Sequence, residues 1–337
     1  MGQRKNVKLE DIAEELGVSI VTVSNALKGK KGVSESTRTR ILSVAEKLGY
    51  HMELKTKNSG HSYVIGVIVA ERYVKEFPSF YLDIYKYIAQ DVAKRGHLTV
   101  LEVVTPEKEM QREIISLENG LAGVILIGEF GPGYFEAIRD YYSGIPMVYV
   151  DYYDVYDDMD YIVTDGFGGM EQMTRMLIKA GYRNLIFVGS VNATKNITDR
   201  YLGFCKALEK AGIEEQNPVI PDRDFSEGDY RIDVELPDKL PEGFVCNCDR
   251  TALLLMEKLR TKGIRIPEDV AVVGFDGYPD VEHEGICLST YRNDGKILAH
   301  ISVNTLLRRI EGRRPAGVRI IEGTVEPGGT VENRRKM

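Results

Sequence analysis

Val7–Leu27 reads VKLEDIAEELGVSIVTVSNAL. Ile12, Ala13 and Leu16 recur at helical spacing and predict one apolar stripe on a short first helix. Gly17 follows where a helix end favours a residue that tolerates φ > 0. Ser19 stands where an N-cap hydroxyl can hold the free N–H groups of a second helix. In that second helix Val23, Ala26 and Leu27 face inward, and Ile20, Val21, Ser24 and Asn25 point outward. This layout is a helix-turn-helix, whose second helix enters the DNA major groove. On spacing alone, a small helical hairpin with no DNA role is the alternative.

Outward from that stretch, Lys28–Gly32 (KGKKG) is a basic turn placed to meet phosphates. Ser34 is the expected N-cap of a third helix, with Ile41, Leu42, Ala45 and Leu48 inward and Thr37 and Arg38 able to reach the DNA backbone. The expected DNA-contacting set is therefore Lys8, Ser19, Ile20, Val21, Thr22, Ser24, Asn25, Lys28, Ser34, Thr37 and Arg38. Asn25 can pair bidentately with adenine or reach a guanine edge, whereas Ile20 and Val21 offer only apolar contacts, such as to a thymine methyl.

The longer segment DIAEELGVSIVTVSNALKGKKGVSESTRTRILSVAEKLGY resembles the headpiece of the lactose/galactose repressor family of bacterial transcription regulators. IAEELGVS, TVSNALKG, VSESTRTRI and LGY run in family order without gaps. The resemblance implies that Ile20, Val21 and Asn25 are the variable sequence readers. Two of the three are apolar, so A·T-leaning contacts are expected in part of each half-site. The linker His51–Ser62 (HMELKTKNSGHS) departs from the family: it has no Pro-Asn and no Ala-Arg pair. Leu54 is the one candidate for the leucine wedge that the family's hinge helices place in the minor groove.

The 337 residues are 43% hydrophobic and 28% charged, ordinary for a folded chain, and the net charge of −7 is unevenly spread. Residues 1–60 carry +4 and the remainder −11. A basic head on an acidic body suits a DNA-binding module joined to a small-molecule sensor. No apolar h-region or membrane-length apolar run is present, so a cytoplasmic protein without a membrane partner is expected. Cys246 and Cys248 form C-x-C, not a zinc or redox C-x-x-C, and buried free thiols are the simpler reading.

From Tyr63 onward short apolar strands alternate with helices in two rounds, the second beginning near Tyr161. The expected fold class is α/β: a three-helix head followed by a two-lobed, doubly wound parallel-sheet sensor. Ligands of such sheets bind at the carboxyl ends of the strands, here the cleft between lobes. YIVTDGFGGMEQMTRMLIKAGYRNLIFVGS, RYLGFCKALEKAGI, FVCNCDRTALLLMEKLRTKGIRIPEDVAVVGFDG and LSTYRND resemble the same family's sensor domain. The resemblance implies a type I periplasmic-binding-protein fold. The expected boundaries are a head at 1–50, a linker at 51–62 and a sensor at 63–337. Within the sensor, lobe 1 takes 63–161 plus 293–322 and lobe 2 takes 162–290. Two departures stand out: C-N-C-D puts Cys248 where the family has asparagine, and VEPGGT puts Gly328 and Gly329 where it has a charged residue. No leucine-heptad extension follows, so a dimer is expected.

The resemblance implies that Arg200, opening RYLGF, grips effector oxygens; a surface salt bridge is the alternative. Asp151 and Asp276 end the strands MVYVD and VVGFD, where each can accept hydroxyl hydrogen bonds or simply serve its loop. Phe225 is placed for stacking by the resemblance. Cys248, Phe80, Tyr152 and Asn293 complete the candidate effector set, and Tyr278 is a further aromatic near the cleft. Asp249 is expected to cap the following helix. Asp154, Asp157, Asp158 and Asp160 lack calcium-loop spacing and are read as a solvated loop. GEFGPG and GFGG fall short of a dinucleotide fingerprint, and no hydrolase motif is present. No metal, cofactor or enzymatic activity is expected. The combined expectation is a homodimeric repressor binding a pseudo-palindromic operator, with a sugar as effector. The alternatives are a purine corepressor, or a soluble binding or enzyme module of the same fold.

Overall fold

The computed structural model describes residues 9–20, 22, 23, 37, 40, 41 and 44 in a first unit, Met1–Gly60. In a second unit, His61–Met337, it describes 62–75, 79–114, 120–131, 133–154, 158–213, 219–224, 231–278, 282, 283 and 285–334.

In the first unit the helix Leu9–Leu16 stops at Gly17, whose φ of +64° lies in the left-handed region. The Val18 N–H reaches back to the Ala13 carbonyl at 3.1 Å, the wrapped end that a left-handed glycine permits. Two residues on, Ser19 Oγ accepts the Thr22 N–H at 3.1 Å and the Ser19 carbonyl accepts the Val23 N–H at 3.1 Å. That is an N-cap opening a second helix, contributing on the order of 1 kcal/mol. Ile12, Ala13, Val23 and Ile41 are buried together, with Leu16, Val18 and Val44 packed around them. Expected inward positions 26, 27, 42, 45 and 48 lie outside the described residues.

The second unit holds two parallel sheets. The first is six-stranded, in the order Gly317–Ile321, Asp160–Thr164, Met147–Val150, Leu121–Ile127, Val64–Ala70, Leu98–Val104. Its central strands are buried on both faces, as parallel strands between helices are. Ile65, Val67 and Val69 pack with Ile84, Ile88 and Val92 of the helix Phe80–Lys94 and with Leu298, Val303 and Leu306 of the helix Gly295–Ile310. Ile68 and Ala70 point the other way, onto Tyr134, Phe135 and Ile138 of the helix Tyr134–Tyr141. The second sheet orders Ala271–Val273, Gly243–Cys246 and Leu185–Val188. The helices Gly166–Ala180 and Lys195–Lys210 cover one face, and the helix Asp249–Thr261 covers the other.

Three sequence expectations change. Asp160–Thr164 pairs with both Met147–Val150 and Gly317–Ile321, so it completes the first sheet, and the boundary drawn at 161/162 falls inside a strand. Asp160 is no solvated loop residue: it is 2% exposed, accepts the Ala316 N–H at 2.7 Å and pairs with Arg309 at 3.2 Å. The sequence predicts a helix near Glu109–Asn119; the described helix is Pro106–Gln111, because Pro106 has the φ a first turn needs, and 115–119 lie outside the described residues. It stops where Arg112 turns left-handed.

The chain crosses between the sheets three times, near Asp165, near Asn293 and between Ile321 and Thr324. Thr290–Arg292 and Thr324–Glu326 pair antiparallel beside these crossings. The tail closes against the second sheet, where Thr330 Oγ1 accepts the Ser289 N–H at 2.9 Å. Gly328 is required there, since a Cβ would lie 2.3 Å from the Cys287 carbonyl oxygen. Among the described residues, no helix is long and apolar enough to cross a membrane.

Candidate functional site

In the head, Ile20 is 44% exposed and points outward as its spacing predicts. Ser19 and Thr22 hydroxyls lie 2.9 Å apart and share the cap, which ties both to the helix start. Thr37 is helical and half-buried. Lys8, Val21, Ser24, Asn25, Lys28, Ser34, Arg38 and Leu54 lie outside the described residues, as does Phe225 of the sensor.

In the sensor, strand ends and helix starts of the two sheets converge on a polar cleft. Met147–Val150 delivers Asp151, and the loop after Ala271–Val273 delivers Asp276. Both carboxylates sit on left-handed backbone, with φ of 61° and 110°. Such strain at a non-glycine residue persists only where the surroundings over-determine it, and it gathers at functional sites. Asp151 is 2% exposed. Its Oδ2 accepts the Tyr81 hydroxyl at 2.7 Å and its Oδ1 the Thr164 hydroxyl at 3.0 Å. Tyr81 is the second residue of a helix capped by Ser79, whose Oγ accepts the Leu82 N–H at 3.2 Å.

Arg200 projects from the helix Lys195–Lys210, which Thr194 caps. It is 6% exposed, donates to the Asn247 carbonyl at 2.7 Å, and pairs with Asp276 Oδ1 at 3.0 Å. Its guanidinium lies 4.1 Å from the centroid of the Phe275 ring. Burial works against its charge, but Asp276 and Asp151 outweigh burial and hold its pKa above the ordinary value. Burial pushes the Asp276 carboxyl up to about 6; Arg200 opposes that rise and the Asp151 charge adds to it. Burial also raises Asp151, against the pull of Arg200. Two carboxylates therefore face one guanidinium in a low-dielectric cleft. Asn293, at the second crossing, donates to Asp276 Oδ1 at 3.3 Å. Among the described residues, Arg200 Nε and Asn293 Oδ1 are buried without a hydrogen-bond partner, positions a ligand's acceptor and donor can fill.

Further bonds tie the two lobes. Glu129 Oε2 accepts the Lys195 N–H at 2.8 Å, and Asn196 Nδ2 donates to the Asp151 carbonyl at 2.8 Å. The Tyr153 hydroxyl donates to Asp199 at 3.1 Å, and the Lys195 ammonium sits 4.1 Å from the Tyr153 ring centroid.

The cleft thus joins Arg200, Asp276, Asp151 and Asn293. Phe80 stands at its mouth, with its ring 5.7 Å from Tyr81 and 6.0 Å from Tyr278. Tyr152 goes elsewhere: it packs on Tyr149 at 4.7 Å and donates to Asp154, inside the aromatic cluster of the first sheet. Cys248 is 8% exposed, with Sγ 3.2 Å from Thr251 Oγ1 and 3.5 Å from Arg223 Nη2. It also takes the N-cap position expected of Asp249. Asp249 is instead the first helical residue, accepting the Thr290 hydroxyl at 2.6 Å and the Tyr278 N–H at 2.9 Å. Its burial raises the carboxyl to about 8.

Sequence reasoning missed Arg223, which donates to Asn247 Oδ1 at 3.1 Å and lies 3.4 Å from Asp222. Asp222 is fully buried and accepts from the Ser190 N–H, Asn247 and Thr251. The only hint was the charge alternation Asp222-Arg223-Asp224 just before Phe225. Tyr81 stands beside Phe80 among the aromatics that the sequence offers near the cleft, whereas Thr164 and Asn196 left no signal, because their partner Asp151 is 13 and 45 positions away.

Residues 8–53 match the family described as bacterial regulatory proteins, lacI family, and residues 174–331 match the periplasmic binding protein-like domain. The HTH-type transcriptional repressor PurR of Pectobacterium atrosepticum is 25% identical over 315 residues, covering 91% of each chain. The solved lac repressor dimer bound to operator and the anti-inducer ONPF superposes with a TM-score of 0.69 at 20% identity, covering 97% of this chain and 100% of that one. A transcriptional regulator CelR–cellobiose complex superposes at 0.67 with 23% identity, covering 96% and 99%. A capped helix-turn-helix in one unit and a two-sheet cleft in the other each match a part of the same group of regulators: the chain carries a lacI-family DNA-binding module at residues 8–53 and a periplasmic binding protein-like domain at residues 174–331, and its relatives are transcriptional regulators of that type.

Proposed function

We propose that this chain is a DNA-binding transcriptional repressor that acts as a homodimer on a pseudo-palindromic operator and answers to an uncharged sugar held in the sensor cleft. The lacI-family match of residues 8–53 and the exposed Ile20 at the start of the second helix support the DNA role. The lac repressor structure, a dimer on operator, supports the assembly. The single observation that carries the choice of effector is the pair of buried carboxylates around Arg200. A carboxylate accepts hydroxyl donors, and a guanidinium donates to hydroxyl oxygens. A polyol satisfies both. A phosphate would add negative charge beside Asp151 and Asp276, whose own ionisation is already disfavoured. The CelR–cellobiose complex is a relative of the same fold with a sugar bound. Because the cleft bonds join both lobes, a ligand that binds one lobe arrangement better than another shifts the head geometry by its differential affinity.

The test is a thermal-shift screen of neutral sugars, sugar phosphates and purines on the full chain, with Arg200→Ala alongside. A sugar at a hundredfold excess over its Kd stabilises by about 2.7 kcal/mol. A neutral sugar hit lost in Arg200→Ala supports the reading; stabilisation by purines or sugar phosphates alone overturns it. Operator affinity should fall steeply with salt, with a slope of about −0.9 per phosphate contacted.

A further inference from the structure

Beside the Arg200 cleft, and sharing Asp276 with it, a cavity of about 270 Å³ opens. Phe80, Asp83 and Tyr87 line it from the helix Phe80–Lys94, and Tyr278 lines it from the loop after the strand Ala271–Val273. Asn293 and Lys296 line it from the second crossing and the start of the helix Gly295–Ile310. The Phe80 and Tyr278 rings stand 6.0 Å apart at 74°, an edge-to-face corner on the cavity wall. Aromatic faces are electron-rich and attract the C–H edges of a ring laid on them. Asn293 brings the buried Oδ1 that has no donor.

Several charged groups around this cavity already have partners. Asp83 pairs with Lys86 at 2.8 Å. Asp294 accepts the Lys296 and Ile297 N–H groups at 2.8 and 3.1 Å. Arg292 pairs with Glu326 at 2.5 Å and donates to the Gly277 carbonyl at 2.6 Å. The Lys296 ammonium lies 5.5 Å from the Tyr87 ring centroid. An uncharged occupant leaves these contacts intact, whereas a charged one would compete with them. The volume is below the ~300 Å³ at which drug-sized pockets begin, which suits one ring of a longer ligand rather than a whole one.

The geometry points to a second saccharide subsite here: the effector is a disaccharide or longer oligosaccharide. One ring lies among Arg200, Asp151 and Asp276, and the next lies on the Phe80–Tyr278 corner. Asp276 touches both subsites and sets their spacing. This inference rests on the sugar reading above and adds the length of the ligand to it. Tyr278, Tyr87 and Lys296 become specificity-determining residues that read that length.

The test is calorimetric titration of the full chain with matched pairs: glucose against cellobiose and laminaribiose, mannose against mannobiose, xylose against xylobiose. One disaccharide is expected to bind at least about tenfold tighter than its own monosaccharide, the ratio produced by about 1.4 kcal/mol of added contact. In Tyr278→Ala and in Tyr87→Ala that ratio falls toward one. Tyr278→Phe keeps the ring and retains the ratio, which separates loss of the subsite from loss of fold. Equal affinity for both members of every pair, with binding still lost in Arg200→Ala, overturns the subsite and leaves the sugar reading standing. A ratio that survives Tyr278→Ala and Tyr87→Ala also overturns the subsite. Absence of binding by every sugar in the wild-type chain overturns the sugar reading and the subsite with it.

Discussion

Arg200→Met is the most informative single perturbation of the sensor. It removes the cation paired with Asp276 at 3.0 Å, along with the 2.7 Å bond to the Asn247 carbonyl. The lost bond costs roughly 1.5–3 kcal/mol at any pH, as a charge-assisted bond does. The rest depends on pH. Asp276 holds its proton more tightly folded than unfolded, so ionising it subtracts stability from the native state. In the wild type that loss starts above the unfolded value near ~3.9 and is complete above about 6. Without Arg200 the folded pKa rises further, and stability keeps falling beyond pH 6 by about 1.4 kcal/mol per pH unit. Between pH 6 and 8 the variant therefore loses up to about 2.7 kcal/mol more than the wild type from Asp276 alone. Urea denaturation at pH 5, 6, 7 and 8, followed by circular dichroism, reads the difference. A gap between variant and wild type that stays constant from pH 5 to 8 would refute the claim that Arg200 balances a buried carboxylate.

Three further outcomes are expected elsewhere in the chain. Ser19→Ala removes the cap on Thr22 N–H and should cost roughly 0.5–2 kcal/mol of head stability, with weaker operator binding in a gel-shift assay. Asp160→Ala leaves Arg309 without its 3.2 Å partner and the Ala316 N–H without an acceptor, so about 3–5 kcal/mol should disappear from the denaturant midpoint. Gly328→Ala forces a methyl toward the Cys287 carbonyl and should lower stability by roughly 1–3 kcal/mol, whereas Gly329→Ala, whose Cβ would meet only Ile286 at 3.4 Å and the same carbonyl at 3.9 Å, should cost less.

Local chemistry was legible in the sequence. The stripe Ile12, Ala13, Leu16, the left-handed Gly17 and the Ser19 cap all depend on neighbours within five positions, and each lies where its spacing placed it. The strands Met147–Val150 and Leu185–Val188 are uninterrupted apolar runs, and their ends match the runs residue for residue. Arg200 and Asp276 were visible as a charge opening a helix motif and a charge ending a strand. What joins them was not: they are 76 positions apart, and no periodicity carries information over that distance.

Tertiary structure alone decided the remainder. Asp160 looked like one acid among several until the strand Gly317–Ile321 paired beside it and buried it. Tyr152 and Tyr81 are equivalent aromatics in the sequence, yet Tyr152 joins a packed cluster while Tyr81 binds Asp151. Cys248, not Asp249, stands at the N-cap position, where its side chain makes no capping bond, and Asp249 is the first helical residue, bonded to Thr290, 41 positions away. Sequence by itself determined the helix-turn-helix and the alternation of strands and helices, since backbone conformation and one-sided burial repeat over short periods. Sheet order, the three crossings and the pairing of two carboxylates with one guanidinium came only with the fold, because each depends on which distant groups share the same low-dielectric space.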